Sequence, residues 1–254
     1  LWILKGEMMM MNFATIVMAA GKGTRMNSDL PKVLHPLNHK PMIAYVVETA
    51  VEIGSEKTIL IVGHQKEMVI DAMKNYPVEY AVQAQQLGTG HAVMQAKLAL
   101  ENFEGNVLVL SGDVPLLRSK SLNKLIDIHE KSGSIATLLT ANIDDPTGYG
   151  RIVRNENGLV VKIVEEKDAS DDIRKIKEIN VGIYIFKSAE LFATLPLVKN
   201  DNRQGEYYLP DVLKIYVERG EKLSAVVTED VEETHGINTV EQLKSAERIL
   251  QNRY

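Results

Sequence analysis

The chain has no cysteine among its 254 residues, which excludes a disulfide framework, a zinc–thiolate centre and a thiolate nucleophile. That is compatible with a reducing cytoplasm, where the protein is expected to reside. No apolar run reaches the ~18 residues that a membrane span requires, so no membrane partner is expected. Leu1–Met11 carries Trp2, Ile3, Leu4 and a run of methionines, but it is too short and too interrupted by Lys5, Gly6 and Glu7 for a secretory signal. Residues 1–11 are expected to be a dispensable start-site extension. Internal repeats, low-complexity segments and flexible linkers are missing. A basic excess is missing too: 29 Lys and Arg face 34 Asp and Glu, a net charge of −5, which argues against nucleic acid as the main partner. Six histidines (35, 39, 64, 91, 129 and 235) form neither H-E-x-x-H nor a close pair on one helix face, and no nucleophile elbow occurs. They read as structural or surface residues.

What is present is an ordinary globular composition, 45% hydrophobic and 25% charged. The chain is organised around Phe13–Leu34. A short apolar, β-branched run, Ala14–Met18, reads as a buried strand. It breaks into Ala19, Ala20, Gly21 and Gly23, with Lys22, Arg25 and Lys32 close by. Small residues let a ligand lie on the backbone, and turn amides converge on an anion. The standard phosphate motifs nevertheless fail. Met26 stands at the third glycine of a G-x-G-x-x-G, and Gly23 is followed by Thr24 where a P-loop needs Lys.

Further along, Pro41–Ile53 has a helical apolar stripe with Gly54 as its stop. Thr58–Val62, Val78–Val82 and Val107–Leu110 read as strands, Gln65–Lys74 as a helix, and Thr89 as the N-cap of a helix running to Leu100. Ser121–Lys131 is helical and ends at Gly133. This β, α, β, α, β alternation indicates a parallel sheet covered by helices. The second half changes character. Ile135–Ala141, Ile152–Val153, Leu159–Val164 and Val181–Phe186 are strand-like, with irregular pieces at Gly148–Arg151 and Glu165–Asp172. Helices at Leu209–Val217 and Thr239–Leu250 flank a late strand at Leu223–Val227. The last helix carries a capping box, Thr239 and Gln242. The acidic runs Glu165–Asp172 and Glu229–Glu233 read locally as solvated turns.

Asp113 follows the carboxyl end of a buried strand, where open α/β sheets bind ligands; it is either a metal ligand or a cap for structure beginning at Pro115. Asn238 precedes a helix that Thr239 already caps, which frees its amide oxygen.

The longer patterns carry a resemblance. A-A-G-x-G-T-R-M followed by P-K-V-L, together with Gly-Asp-Val-Pro-Leu at 112–116, Gly-Tyr-Gly-Arg-Ile at 148–152, Glu-Ile-Asn-Val-Gly at 178–182 and Gly-Ile-Asn at 236–238, resembles the sugar-nucleotide pyrophosphorylases. Within them it is most similar to the uridyltransferase domain of the bifunctional N-acetylglucosamine-1-phosphate uridyltransferase/glucosamine-1-phosphate acetyltransferases. No hexapeptide repeats accompany it, so the acetyltransferase β-helix is not expected in this chain. The resemblance implies a Rossmann-like α/β nucleotidyltransferase fold, with a mostly parallel central sheet and a smaller antiparallel sugar-binding region. It implies one domain over 12–254, with a nucleotide-binding half of about 12–115 and a sugar-binding half of about 116–254.

The resemblance also implies transfer of uridylyl from UTP to N-acetylglucosamine 1-phosphate, giving UDP-N-acetylglucosamine and pyrophosphate. The site residues follow from it. Arg25, Lys32 and Asp113 would be catalytic, with Lys22 assisting. Met18, Ala19, Ala20, Gly21, Gly23, Lys32, Ser111 and Gly112 would bind the nucleotide, and Gln83, Gly88 and Thr89 would read the uracil. Gly150, Glu165, Asn180, Glu206 and Tyr208 would bind the sugar. Asp113 and Asn238 would hold Mg²⁺. Pro210 stands where the family pattern has Thr, which removes a hydroxyl from the sugar pocket. Three other functions stay open: the same chemistry on glucose 1-phosphate with UTP or dTTP, a non-catalytic sugar-nucleotide-binding regulatory subunit, and an NAD-binding Rossmann enzyme, against which Met26 argues.

Overall fold

A computed structural model describes residues 11–21, 23–26 and 28–253. Lys22 and residues 1–10 of the expected extension lie outside the described residues. The first half alternates strand and helix. β1 (Phe13–Met18) is followed by a two-strand ribbon, β2 (Pro36–Leu37) and β3 (Lys40–Pro41), and by α1 (Met42–Glu52). Then come β4 (Thr58–Val62), α2 (Lys66–Met73), β5 (Glu79–Val82), α3 (Thr89–Met94), β6 (Asn106–Ser111) and α4 (Ser119–Ser132). The second half is richer in strands: β7 (Ala136–Asn142), β8 (Gly150–Arg154), β9 (Val160–Val164), α5 (Asp171–Arg174), β10 (Glu178–Lys187) and α6 (Ser188–Thr194). It closes with α7 (Pro210–Glu218), β11 (Leu223–Val227) and α8 (Val240–Arg253).

Apart from the β2–β3 ribbon, the strands form one nine-stranded sheet with the order β11-β7-β10-β6-β1-β4-β5, from which β8 and β9 branch off β10. Only β10 runs against the others along that path, being antiparallel to both β6 and β7. β8 and β9 are an antiparallel pair, and β8 pairs antiparallel with β10. The central sheet is therefore mostly parallel, with a small antiparallel extension, as the sequence pattern implied.

Both faces of the sheet are covered, which is why β1, β4 and β6 read as unbroken apolar runs. Alternate residues feed two layers. Ile16, Ile59 and Val107 pack on one face with Val93, Leu191 and Leu213. Val17, Leu60 and Leu108 pack on the other with Ile43, Val47, Leu122 and Leu125. Each such side chain contributes roughly 1.5–3 kcal/mol on full burial. A third, small cluster of Leu37, Met42, Leu116, Ile237, Ala246 and Leu250 seats α8 against the rest. No helix among the described residues is long and apolar enough to cross a membrane.

Four local expectations need correction. The helix from Thr89 ends at Met94 and tightens to a 3-10 turn over Gln95–Lys97, where the Gln95 amide donates to the His91 carbonyl at 2.9 Å. Its N-cap is Gly88, not Thr89. β10 runs from Glu178 to Lys187 rather than from Val181, because a bulge at Val181–Gly182, with Gly182 at φ +81°, lets the strand continue back through Glu178–Asn180 in register with β7. The Glu229–Glu233 run is not simply solvated: Glu233 is completely buried and accepts from the Arg118 amide at 3.1 Å and from the Thr228 hydroxyl. The capping box of α8 forms as read. Gln242 Nα–H donates to Thr239 Oγ1 at 3.3 Å, and Gln242 Oε1 accepts from the Thr239 amide at 3.1 Å.

Candidate active site

The carboxyl ends of β1 and β6 are stitched together just beyond their last pairs: Gly112 N–H donates to the Met18 carbonyl at 2.9 Å. The chain after β1 then folds back on itself. Gly23 sits at φ +60°, and a Cβ there would lie 2.5 Å from Lys32 Cβ, so only glycine lets Lys32 pack across the loop. Gly112 also meets a packing limit, since its Cβ would stand 3.1 Å from the Met18 carbonyl oxygen. Gly21 differs from both. A Cβ there would touch no described atom within 4 Å, and its φ is outside the left-handed region.

Five polar side chains from three distant stretches meet above these strand ends. The Lys32 ammonium pairs with Asp113 Oδ2 and donates to Asn238 Oδ1 at 3.0 Å. Arg25 Nη2 donates to the same Asn238 oxygen at 2.7 Å. The Ser111 hydroxyl donates to Asp113 Oδ1 at 2.7 Å. Asp113 is thus no cap for Pro115, and the next helix, α4, begins only at Ser119. Asn238 is brought there by backbone as well as side chain. Ile237 N–H donates to the Asp113 carbonyl at 2.8 Å, and Gln242 Oε1 accepts from Asn238 N–H at 2.7 Å.

A cleft of about 240 Å³ opens beside this cluster, lined by Met18, Ala19, Ala20, Gly21, Lys32, Gln83, Gly88, Thr89, Ser111, Asp113 and Glu206. Gln86, Val33 and Ala92 complete its wall and were not anticipated. Gln83 is 3% exposed, and its Nε2 faces the Gly88 carbonyl at 3.1 Å and His91 Nδ1 at 3.0 Å. Both amide hydrogens are therefore engaged, which leaves Oε1 as the group free to meet a ligand donor. His91 thereby orients Gln83, a role that no sequence spacing indicated.

The Thr89 hydroxyl is committed elsewhere in the protein: it accepts from the Leu209 amide at 2.9 Å. Around it the segment before α7 is zipped to the loop before α3. Tyr207 N–H donates to the Leu87 carbonyl at 2.8 Å, and Gly90 N–H donates to the Tyr207 carbonyl at 2.7 Å. Gly88, at φ +110°, is required here, since its Cβ would fall 2.6 Å from the Tyr207 carbonyl oxygen.

Gly150, Glu165 and Asn180 also come together. Gly150 and Asn180 are direct partners across β8 and β10, and a Cβ on Gly150 would stand 3.2 Å from Glu165 Oε1. Asn180 Nδ2 donates to the buried Tyr184 hydroxyl at 2.6 Å. A neighbouring cavity of about 660 Å³ is lined by Glu165, Asp168, Tyr208, Pro210 and Asp211. Burial and the charges of Asp211 and Asp168 hold the Glu165 carboxyl above its ordinary range. Burial, with Glu206 and other nearby carboxylates, pushes the Tyr208 phenol up to about 12. Tyr149 lies within reach of the Asp113 charge: burial and that charge both raise its phenol. The sequence singles out Gly150 in this stretch and gives Tyr149 no role.

A match to the nucleotidyl transferase family model spans residues 14–233. The chain belongs to the nucleotidyl transferase family. Two relatives, each named bifunctional protein GlmU, from Bacillus cereus (strain G9842) and Bacillus anthracis (strain CDC 684 / NRRL 3495), are 51% identical to it over 244 residues. These alignments cover 96% of this chain and 53% of each relative, so the chain spans about half the length of the relatives it matches. Among solved structures, a UDP-glucose pyrophosphorylase complexed with UDP-glucose has the same nucleotidyltransferase fold. Its TM-score is 0.75 at 20% identity, covering 96% of this chain and all of that one.

Proposed function

We propose that this nucleotidyl transferase is an N-acetylglucosamine-1-phosphate uridyltransferase, acting on UTP and releasing pyrophosphate. The observation that carries the reading is the convergence of Arg25, Lys32, Asp113 and Asn238 at the strand ends, beside a cleft floored by small residues. Relatives at 51% identity support it. Gly21 supports it too: no described atom demands a glycine there, whereas a phosphate lying on the backbone would.

In this reading the sugar phosphate is the nucleophile. One of its oxygens, already anionic, forms the new bond to the α-phosphorus of UTP, while the bond from that phosphorus to the β-phosphate oxygen breaks. Pyrophosphate takes the electron pair, and neither a general base nor a covalent intermediate is needed. The protein's work is positioning and charge neutralisation. Gln83 Oε1 accepts from the uracil, and the Ala19–Gly21 backbone supports the phosphates. Arg25 bears on the leaving pyrophosphate with a planar fork of donors, while Lys32 bridges the reacting phosphates as a point charge. Gly150, Glu165 and Asn180 receive the sugar, with Glu206 and Tyr208 as its wall.

The donor set fits a divalent hard cation. Asp113 Oδ2 and Asn238 Oδ1 already meet at one cationic point, the Lys32 ammonium. No cluster of three or more His, Cys, Asp or Glu forms a dedicated metal cage among the described residues, so a metal here would rely on substrate phosphates and water, as Mg²⁺ commonly does. Asp113 and Asn238 would hold it, and Mg²⁺ there supplies charge neutralisation at the phosphates.

The test is pyrophosphate release from purified protein across UTP and dTTP, each with N-acetylglucosamine 1-phosphate and glucose 1-phosphate, with and without chelator. The expected result is Mg²⁺-dependent release with UTP and the N-acetylated sugar. Preference for glucose 1-phosphate, or no release with any pair, would reject the proposal.

A further inference from the structure

Arg151 is the bulkiest side chain that the fold buries completely, at 1% exposure. Its Nη2 pairs with Glu166 Oε2 at 2.7 Å, and its Nη1 donates to the Tyr149 carbonyl. Glu166 also accepts from the Gly148 backbone and pairs with Arg174 (3.3 Å between Nε and Oε1). Arg151 Nε has no partner among the described residues.

The register of the small antiparallel extension explains where this pair lies. Gly150 stands opposite Asn180, and Arg151 opposite Ile179 in β10 and Val164 in β9. Side chains alternate between faces along a strand. Gly150 and Asn180 therefore share one face, and Glu165, one residue past the end of β9, joins them there. Arg151 is sent to the opposite face. Two dipeptides, Gly150-Arg151 and Glu165-Glu166, thus run side by side. Their first members meet on the face of the candidate site, and their second members meet behind it.

We propose that the Arg151–Glu166 pair positions the sugar subsite, holding the Glu165 carboxylate over Gly150 beside Asn180 for the hydroxyl and amide donors of an N-acetylated hexose phosphate. The inference rests on the function proposed above. A restraint is needed at this point. Glu165 faces the like charges of Asp168 and Asp211, which favour its turning out to water, and it lies one residue past the end of β9, where its carbonyl accepts from the Asp168 amide at 2.9 Å but its side chain has no strand partner to hold it. Stability alone does not account for the pair. Arg151 is fully buried with Nε unmet, while Glu166 is only partly buried and its Oε2 meets Arg151 as an ionic contact rather than an aligned hydrogen bond. Such a pair is commonly matched by apolar side chains of similar volume, whereas removing Glu166 alone leaves the buried Arg151 charge uncompensated. What the pair adds is location: it ties the Gly148–Arg151 turn to the turn that carries Glu165.

The same asymmetry supplies the test. The double variant Arg151→Met/Glu166→Leu removes the charges without stranding either one. It is expected to fold, to bind UTP in calorimetry within about twofold of wild type because the two regions are separate, and to show a KM for N-acetylglucosamine 1-phosphate raised roughly 10–100-fold. Glu166→Gln, which keeps the shape and one acceptor, should raise that KM less. A folded double variant with a wild-type KM overturns the inference. If the double variant does not fold, Glu166→Gln carries the measurement, and an unchanged KM in it overturns the inference equally. A wild-type protein that binds UTP but neither binds nor turns over the sugar phosphate would instead refute the proposed function.

Discussion

Replacing Lys32 with Met separates what its ammonium does for the reaction from what it does for the fold. The methionine keeps the aliphatic stem that packs on Gly23 and removes only the charge. In the protein without substrate, the ammonium holds Asp113 Oδ2 and Asn238 Oδ1, with the Lys32 and Asp113 side chains each 16% exposed. Once it is gone, Asp113 retains the Ser111 hydroxyl at 2.7 Å and opens to water in the cleft. The pair is mostly buried but borders an open cleft, so it falls between an exposed pair and a sealed one, and the stability loss should be about 1–3 kcal/mol, at roughly 2–4 °C in Tm per kcal/mol for a chain of this size. The reaction asks more of the same group. Charge builds on the leaving pyrophosphate as the bond to the α-phosphorus breaks, and losing one preorganised donor at such a point costs roughly 10²–10³ in turnover, about 2.7–4 kcal/mol. Pyrophosphate release at saturating substrates, read beside a melting curve, compares the two effects directly. A folded variant turning over within about threefold of wild type would remove Lys32 from the mechanism.

Three further outcomes are expected. Asp113→Asn should lower Mg²⁺-dependent turnover by roughly 10²-fold or more and raise the Mg²⁺ concentration at half-maximal rate, because the carboxylate supplies the only negative charge among the proposed protein ligands; an unchanged Mg²⁺ titration would reject the metal assignment. Thr89→Val leaves the Leu209 amide without its acceptor, costing about 1–3 kcal/mol. Because that bond joins the two loops, KM should rise for both substrates, and a KM change confined to UTP would show that the loops act independently. His129 is buried between Thr137 and Asn106, and burial with the nearby Lys187 charge lowers its pKa from 6.5 to about 4. The unfolded chain therefore takes up the proton first. The stability that the neutral ring provides is complete above pH 6.5 and is lost as pH falls toward 4, by at most about 3 kcal/mol. His129→Gln should flatten the fall of Tm between pH 7 and 4 relative to wild type, and parallel curves would exclude His129 as its source.

Most strands and helices could be read from the chain because their causes are local. Continuous β-branched runs, a helical stripe before Gly54 and the Thr239–Gln242 box each carry their own periodicity or cap. The misreadings have tertiary causes. Thr89 looked like a cap because Ser and Thr before a helix usually are, but its hydroxyl is taken by Leu209, 120 residues away. Glu233 looked solvated within an acidic run, yet the Arg118 amide and the Thr228 hydroxyl bury it with partners. Glu178–Asn180 were left out of the strand because only their pairing with β7 and β8, across the bulge at Val181–Gly182, makes them part of it.

Residue order alone determined that this is an α/β chain with a glycine-rich turn and cations after its first strand, since burial on both faces of a sheet and the freedom of glycine are written into short stretches. It could not determine that Arg25, Lys32, Asp113 and Asn238 converge, because spacing along a chain carries no information on separations of 206 or 213 residues. That was decided by a sheet whose order places β6 beside β1, and by the Ile237–Asp113 backbone bond that carries the start of α8 to the same strand ends. The Arg151–Glu166 pair belongs to the tertiary structure as well: strand register, which only the assembled sheet defines, sends adjacent residues of one dipeptide to opposite faces.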